Sequence, residues 1–399
     1  MSLPEGPLKG VTVLSLEQAL TLPYATYRLV LDGATVIRLE NPLMPDPNRF
    51  VGPNVLGEEG MNAYFLPYNV GKKSITLNLA VEEGRELLKK IIAKLNVDVF
   101  ATNQLPHRYK KLGIDYETLK QVKPDIIWVG VTGFGPEHAE PAYDPILQAR
   151  AGVMDLTGDP KGPPMIPGVP LADLVAGEHT YAEILKALYR RALTGEGCRV
   201  DVSMFHATTS WLITLLPHFV SFGRRFTRRG NRHEFFVPVD VFPTKDGYVY
   251  IAIGNDRQWR ALTELEPFKE LGEDRYATNE GRRADAENLL RRMAQITASL
   301  SSEELLKMLS SAGIPSTKIS TLDEVARDPL VQGRMLRARD ARTGVEIYMP
   351  PPSTISAQSI ASRPLPFPPR LGEHNEEVYC GALGISKEEL EDLRRRKVV

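Results

Sequence analysis

The chain has 399 residues, 42% hydrophobic and 25% charged, with a formal net charge of −1. It is too long for one minimal domain, ordinary in composition for a globular protein, and too nearly neutral for a global field to gather nucleic acid or an anionic membrane, so any anion site must be local. Its two cysteines, Cys198 and Cys380, form no CxxC pair, no apolar run reaches membrane-spanning length, and Met1–Gly10 reads as no signal peptide; the expectation is a cytoplasmic protein without a metal knuckle, disulfide framework or membrane partner.

Val11–Leu16 reads as a buried strand, Pro23–Asp32 as a helix stopped at Gly33, and Thr35–Leu39 as a second strand. This is the strand-helix-strand unit that builds parallel sheets. Ser74–Leu79 reads as extended, and Val81–Leu95 as an amphipathic helix with Leu87, Leu88, Ile91, Ile92 and Leu95 on one face. Asp98–Ala101 and Ile126–Val131 follow as strands around a helix at Tyr116–Val122. Leu174–Leu193 predicts a long helix stopped by Thr194-Gly-Glu-Gly197, Arg199–Met204 a strand, and the apolar Trp211–Phe219 a helix. After Phe222 the character changes: a basic loop at 223–233, two strands at Phe236–Phe242 and Tyr248–Ile253 around a turn at Pro243–Gly247, then short helices to about Asp328. From Gly344, Pro350-Pro-Pro352 and Pro364-Leu-Pro-Phe-Pro-Pro369 suggest an extended arm, with a last helix from Ser386.

The expected fold is α/β: a Rossmann-like, doubly wound parallel sheet in a large domain (1–222 and 335–399) plus a smaller α+β domain (223–334). The first strand-helix turn, Leu16-Glu-Gln-Ala-Leu-Thr-Leu-Pro23, has no glycine, which argues against a dinucleotide pyrophosphate there. There is also no GxxxxGK[ST] loop, HExxH or GxSxG.

Two features invite chemistry. Asp173, in Gly168-Val-Pro-Leu-Ala-Asp-Leu-Val-Ala-Gly177, falls where a helix should start; it reads either as an ordinary N-cap or as a carboxylate nucleophile that needs no general base. Gln18 follows the first strand, at the mouth of the sheet where open α/β folds place ligands; as a neutral donor it suits an oxyanion, and otherwise it is a surface glutamine.

Segments spread along the chain resemble the family III CoA-transferases, a family that includes formyl-CoA, carnitine-CoA and bile-acid CoA-transferases and the related 2-methylacyl-CoA racemases. They are Leu8–Val13, Pro23–Thr26, Gly33–Pro42, Gly71–Leu79, Asp98–Asn103, Leu112–Leu119, Val131–Gly135 leading to Tyr143-Asp144 and Gly158, Asp173 itself, Thr194–Ser203, and Pro368–His374. The resemblance implies that Asp173 is a nucleophile passing through a mixed anhydride and an aspartyl-CoA thioester, with Gln18, Tyr143 and Asp144 beside it. It implies coenzyme A thioester as a substrate, with no tightly bound cofactor. Phosphate contacts would come from Arg38, Lys72, Lys73, Asn103 and Arg108. Family members carry an arginine where this chain has Leu105, leaving His107 and Arg108 to compensate. Racemases carry a histidine at the Tyr143 position; a phenol, titrating near pH ~10, suits transfer better than proton abstraction. The family's interlocked dimer is expected too, as a homodimer or with a related subunit.

The basic loop lies where the family places a mobile segment. Arg228, Arg232 and His233 are the candidates to bind a second carboxylate of the acid, against the plainer reading of a solvated linker. Together these suggest transfer from succinyl-CoA to a substituted dicarboxylate such as benzylsuccinate. The alternatives are a racemase-type isomerase and a non-catalytic CoA-binding subunit.

Overall fold

A computed structural model describes residues 6–353 and 365–399; Pro364, first of the second proline run, lies outside the described residues. The elements run β1 (Thr12–Leu16), α1 (Thr21–Leu31), β2 (Thr35–Glu40), β3 (Lys73–Thr76), α2 (Glu82–Lys94), β4 (Val99–Thr102), α3 (Tyr109–Leu112), α4 (Tyr116–Val122), β5 (Ile127–Thr132), α5 (Asp144–Arg150), α6 (Val153–Leu156), α7 (Leu171–Thr194), β6 (Cys198–Ser203), α8 (Met204–Ser210), α9 (Leu216–Phe222), β7 (Val239–Thr244) and β8 (Gly247–Ala252). They divide into two compact units, one of residues 1–151, 167–223 and 330–399, the other of 152–166 and 224–329.

The first unit is built on a six-stranded sheet of order β3-β2-β1-β4-β5-β6, parallel throughout. Alternate residues feed two cores. Leu14, Leu16, Ile37, Leu39, Phe100 and Trp128 pack with Leu87, Leu88, Ile91 and Ile92 of α2 on one face. Val13, Val36, Val99, Ala101, Ile127 and Val129 pack with residues of α1, α5, α7 and α8 on the other. Burial on both faces is why these strands are near-continuous apolar runs. The order reverses direction between β1 and β4, so the loops after these strands diverge and open a crevice at their carboxyl ends.

The segment after residue 364 returns to cover the sheet's β3 edge. Thr76 donates its N–H to Asn375 Oδ1 (2.9 Å), its carbonyl accepts from the Tyr379 hydroxyl (2.7 Å), and Asn78 N–H donates to the Val398 carbonyl (2.8 Å). An edge that would otherwise present unpaired backbone is thereby closed.

Two expectations are corrected. Trp211–Phe219 is not one helix: α8 ends at Ser210 and α9 starts at Leu216, with Pro217 in its first turn. A proline fits a first turn but has no N–H to continue a preceding helix. The expected arm from Gly344 contains a strand, Glu346–Met349, antiparallel to Leu336–Arg339. In Leu336-Arg-Ala-Arg339 the buried/exposed alternation is the period-two signal of such a ribbon.

In the second unit, β7 and β8 form a hairpin extended by Ser316–Lys318. Helices cover it through Phe242, Val249, Ile251, Trp259, Phe268, Met293 and Leu305.

Candidate functional site

A cavity of about 260 Å³ opens at the carboxyl ends of β1 and β4, lined among others by Gln18, Thr21, Asn103, Leu105, Tyr143 and Asp173. Asn103, following β4, clamps the loop after β1: Gln18 N–H donates to Asn103 Oδ1 (3.1 Å) and Asn103 Nδ2 donates to the Gln18 carbonyl (2.8 Å). The next residue, Ala19, is held at φ 63°, a left-handed conformation a non-glycine residue adopts only when its surroundings compel it. Its N–H is tied to Asp46 Oδ1 at 3.1 Å. The exposed Gln18 side-chain amide makes no hydrogen bond among the described residues and is open to the cavity.

Asp173 is not the helix cap. Helix α7 starts one residue after Pro170, placing Asp173 in its first turn. The cap comes from another helix: Asp144, at the start of α5 and buried, accepts through Oδ1 from the N–H groups of Ala172 (2.7 Å) and Asp173 (3.1 Å). Its Oδ2 accepts from Gln148 Nε2 at 2.6 Å. This corrects two expectations. Both oxygens of Asp144 accept structural hydrogen bonds and Asp144 is not among the residues lining the cavity, and the first-turn N–H groups it occupies are not free for an oxyanion.

The Asp173 carboxylate is therefore spared any capping task. Among the described residues it accepts one hydrogen bond, from Thr21 Oγ1 of α1 at 2.5 Å. Burial, assisted by the Asp144 charge and opposed by the Thr21 hydrogen bond, pushes its pKa up to about 6. It stays ionised at neutral pH but is poorly solvated and more basic than a surface aspartate. Tyr64, on the loop after β2, feels the same pair: burial first, then the charges of Asp173 and Asp144, raise its hydroxyl.

Helix α1 reaches α7 because Gly177, one turn beyond Asp173, has no side chain. A Cβ there would lie 2.7 Å from Tyr24 Cδ1 and 3.0 Å from the Thr21 carbonyl oxygen.

Arg38 and Lys72, expected to meet phosphates, are corrected. Both side chains are fully buried. Arg38 pairs with Asp46 at 2.8 Å, lies 3.6 Å from Glu17 and 3.5 Å from Glu40, and donates to Asn69. Lys72 spends its three donors on Glu17 (2.8 Å), the Pro23 carbonyl (2.7 Å) and Asn69 (3.0 Å). With Arg49 bound to Glu40 at 2.6 Å, three cations neutralise three carboxylates. Burial presses Lys72 down to about 8 against the pull of Glu17; it pushes Glu40 upward too, but Arg38 and Arg49 outweigh it and hold that carboxyl at about 2. Cations so engaged have no charge to offer a phosphate. Through Asp46 the network instead anchors Ala19 and hence the loop carrying Gln18 and Thr21. Lys73 is half-exposed and paired with Glu377. Arg108 is exposed at the end of the turn Pro106–Arg108, two residues after the cavity residue Pro106. Tyr143 is 74% exposed on the cavity rim.

Arg228, Arg232 and His233 belong to the second unit, where each is engaged. Arg228 binds Asp155 (2.6 Å), Arg232 binds Glu287 and Asp240 (3.2 Å), and His233 Nδ1 accepts from the N–H groups of Phe235 (3.1 Å) and Phe236 (3.3 Å). A substrate carboxylate would have to displace a protein carboxylate from either arginine.

Sequence reasoning missed Thr21, Tyr64 and Gly177. Gly177 carried a signal, a glycine inside an otherwise strong helical pattern, which marks close approach; Thr21 and Tyr64 carried none.

The sequence profile of CoA-transferase family III matches residues 8–375. The chain is 33% identical to a succinate–glutarate CoA-transferase of Agrobacterium fabrum, over 94% of this chain and 95% of that protein. It is 32% identical to a succinyl-CoA:mesaconate CoA-transferase of Haloarcula marismortui, over 94% and 96%. A crystal structure of a CAIB/BAIF family protein from Brucella suis superposes with TM-score 0.82 at 32% identity, covering 94% of this chain and 99% of that one.

Proposed function

Because the chain belongs to CoA-transferase family III, we propose that it moves CoA from succinyl-CoA to a dicarboxylic acid through covalent chemistry at Asp173. The observation that carries this is the Asp173 carboxylate, relieved of capping by Asp144, raised to about 6 and lining the cavity at the sheet's reversal point. Such a group attacks a thioester carbonyl without a general base, and the thiolate leaves. The thiolate then attacks the aspartyl carbonyl, the donor acid departs, and the acceptor acid runs the sequence in reverse. Gln18, whose amide is unpaired at the rim, is the donor proposed for the thioester oxyanion. Arg108 is the cation proposed for the CoA phosphates, since Arg38 and Lys72 are consumed within the fold.

Substrates named for the relatives, glutarate and mesaconate, are compact dicarboxylates; we place the acceptor in that class and keep benzylsuccinate as its bulky test member. The interlocked dimer is kept as what the family resemblance implies; the exposed apolar side chains of Trp211, Ile213, Val220 and Phe222 are candidates for the surface it would cover.

The test is trapping. Incubation with succinyl-CoA and hydroxylamine should convert Asp173 to a hydroxamate, read by peptide mass, and a panel of free acids should yield new CoA esters. Unmodified Asp173 in an enzyme that is turning over sinks the mechanism.

A further inference from the structure

One contact is left unexplained by the exchange chemistry: a threonine at the start of α1 is aimed at an aspartate 152 positions away. Thr180 of α7 and Thr208 of α8 turn their hydroxyls back on their own backbone, whereas Thr26 of α1 reaches Glu17 Oε2 (2.7 Å) as well as its own helix. Thr180 donates to the Ala176 carbonyl at 2.7 Å and Thr208 to that of Met204 at 2.8 Å. Thr21 occupies the first position of α1, with no helical carbonyl four residues behind it. Thr21 is 4% exposed, and among the described residues its hydroxyl meets, besides Asp173, only the weak acceptor Met204 Sδ, at 3.7 Å. The proton is committed to Asp173 Oδ1.

We infer that Thr21 is a positioning residue for covalent exchange: it holds one Asp173 oxygen, leaving the other to attack, and stays bonded to the held oxygen as an oxyanion donor when CoA thiolate attacks the aspartyl carbonyl. This rests on Asp173 being the nucleophile. In the first step the free oxygen bonds to the acyl carbon, the C–S bond breaks and CoA leaves as thiolate. In the second, sulfur bonds to Asp173 Cγ, the bond from Cγ to the acylated oxygen breaks, and the donor acid leaves as a carboxylate carrying that oxygen. Between those events negative charge passes onto Oδ1, where Thr21 already donates. No proton changes hands, and the first-turn N–H groups of Ala172 and Asp173 are occupied by Asp144. A preorganised donor at the atom where charge develops is the arrangement that stabilises such an intermediate.

The titratable groups facing Asp173 are Asp144 from α5 and Tyr64 from the loop after β2. His138, Glu140 and Tyr143 line the same cavity. α1 contributes Thr21, its Arg28 being bound to Glu178, and α8 contributes Met204. Removing the Thr21 hydrogen bond takes away the interaction that opposes the upward shift.

The experiment compares Thr21→Ala, Thr21→Ser and Asp173→Asn using succinyl-CoA and glutarate. We expect Thr21→Ala to lower kcat about 10²-fold with KM for succinyl-CoA within about threefold. The acidic limb of kcat/KM, near pH 6 in the parent from the Asp173 value, should move to higher pH. Thr21→Ser should restore both. An Ala variant with kcat within about threefold of the parent and an unmoved limb overturns the inference, as does a folded Ser variant that restores neither. Asp173→Asn separates the layers: if it is active, the nucleophile reading fails; if it is inactive while Thr21→Ala is not, only the role of Thr21 fails.

Discussion

Replacing Asp173 with asparagine should abolish exchange and make the protein more stable. In the fold this carboxyl is moved from 3.8 to about 6, chiefly by burial. Raising an acid by that amount penalises its charged form by ~3 kcal/mol. The sign follows from which state holds the proton more tightly. Native Asp173 does, so its favourable contribution is complete below pH 3.8 and is lost as pH rises through about 6. At pH 8 the native state carries the full penalty. Asparagine is nearly isosteric, still accepts from Thr21, and removes the charge. Because the side chain is half-buried and water screens part of the penalty, the expected gain at pH 8 is ~1–2 kcal/mol, a rise in Tm of about 1–2 °C for a chain of this length. Scanning calorimetry on parent and variant at pH 4 and pH 8 reads it: the variant should lead at pH 8 and the difference should nearly close at pH 4. A variant less stable at pH 8, or an advantage of equal size at both pH values, would refute the claim that Asp173 is held ionised against its surroundings.

Two further perturbations separate scaffold from site. Lys72→Met leaves Glu17 buried without its closest cation and should destabilise the fold by about 3–5 kcal/mol; in the protein that folds, KM for a CoA thioester and for the matching pantetheine thioester should change by the same factor, whereas a selective change for CoA would return Lys72 to the phosphate site. Gly177→Ala, favourable by helix propensity by about 1 kcal/mol in isolation, should instead lower Tm here and reduce kcat, because the methyl must push Tyr24 and the Thr21 backbone from 2.7 and 3.0 Å; an unchanged or raised Tm with full kcat would show that α1 yields without disturbing the Thr21–Asp173 contact.

The parallel sheet was legible because each strand obeys a rule that acts locally. Ile127–Thr132 is buried at every position, so it reads as an apolar run, and Glu82–Lys94 exposes one face, so it reads as amphipathic. The C-terminal ribbon was hidden by prolines that dominate composition without controlling Leu336-Arg-Ala-Arg339. The break before α9 turns on where a single proline falls in a helix, a boundary effect that an apolar window averages away.

The site is a harder case, and Arg38 shows why. In one dimension, an arginine near the carboxyl end of a strand looks like an anion receptor. Whether it is one depends on Glu17, Glu40 and Asp46, which surround it from three places in the chain. Asp144 poses the same problem reversed: beside Tyr143 it looks like a reactant, yet it lies against the start of α7 and does the capping that Asp173 was suspected of doing. A helix start must satisfy its N–H groups somehow. Because a carboxylate from α5 meets that need, the aspartate on α7 keeps its lone pairs, and the hydroxyl of Thr21 decides how they are presented. The chemistry proposed for Asp173 thus depends on which of two acidic residues caps the helix, a choice made by the packing of α5 and α1 on α7 and invisible in either residue's own neighbours along the chain.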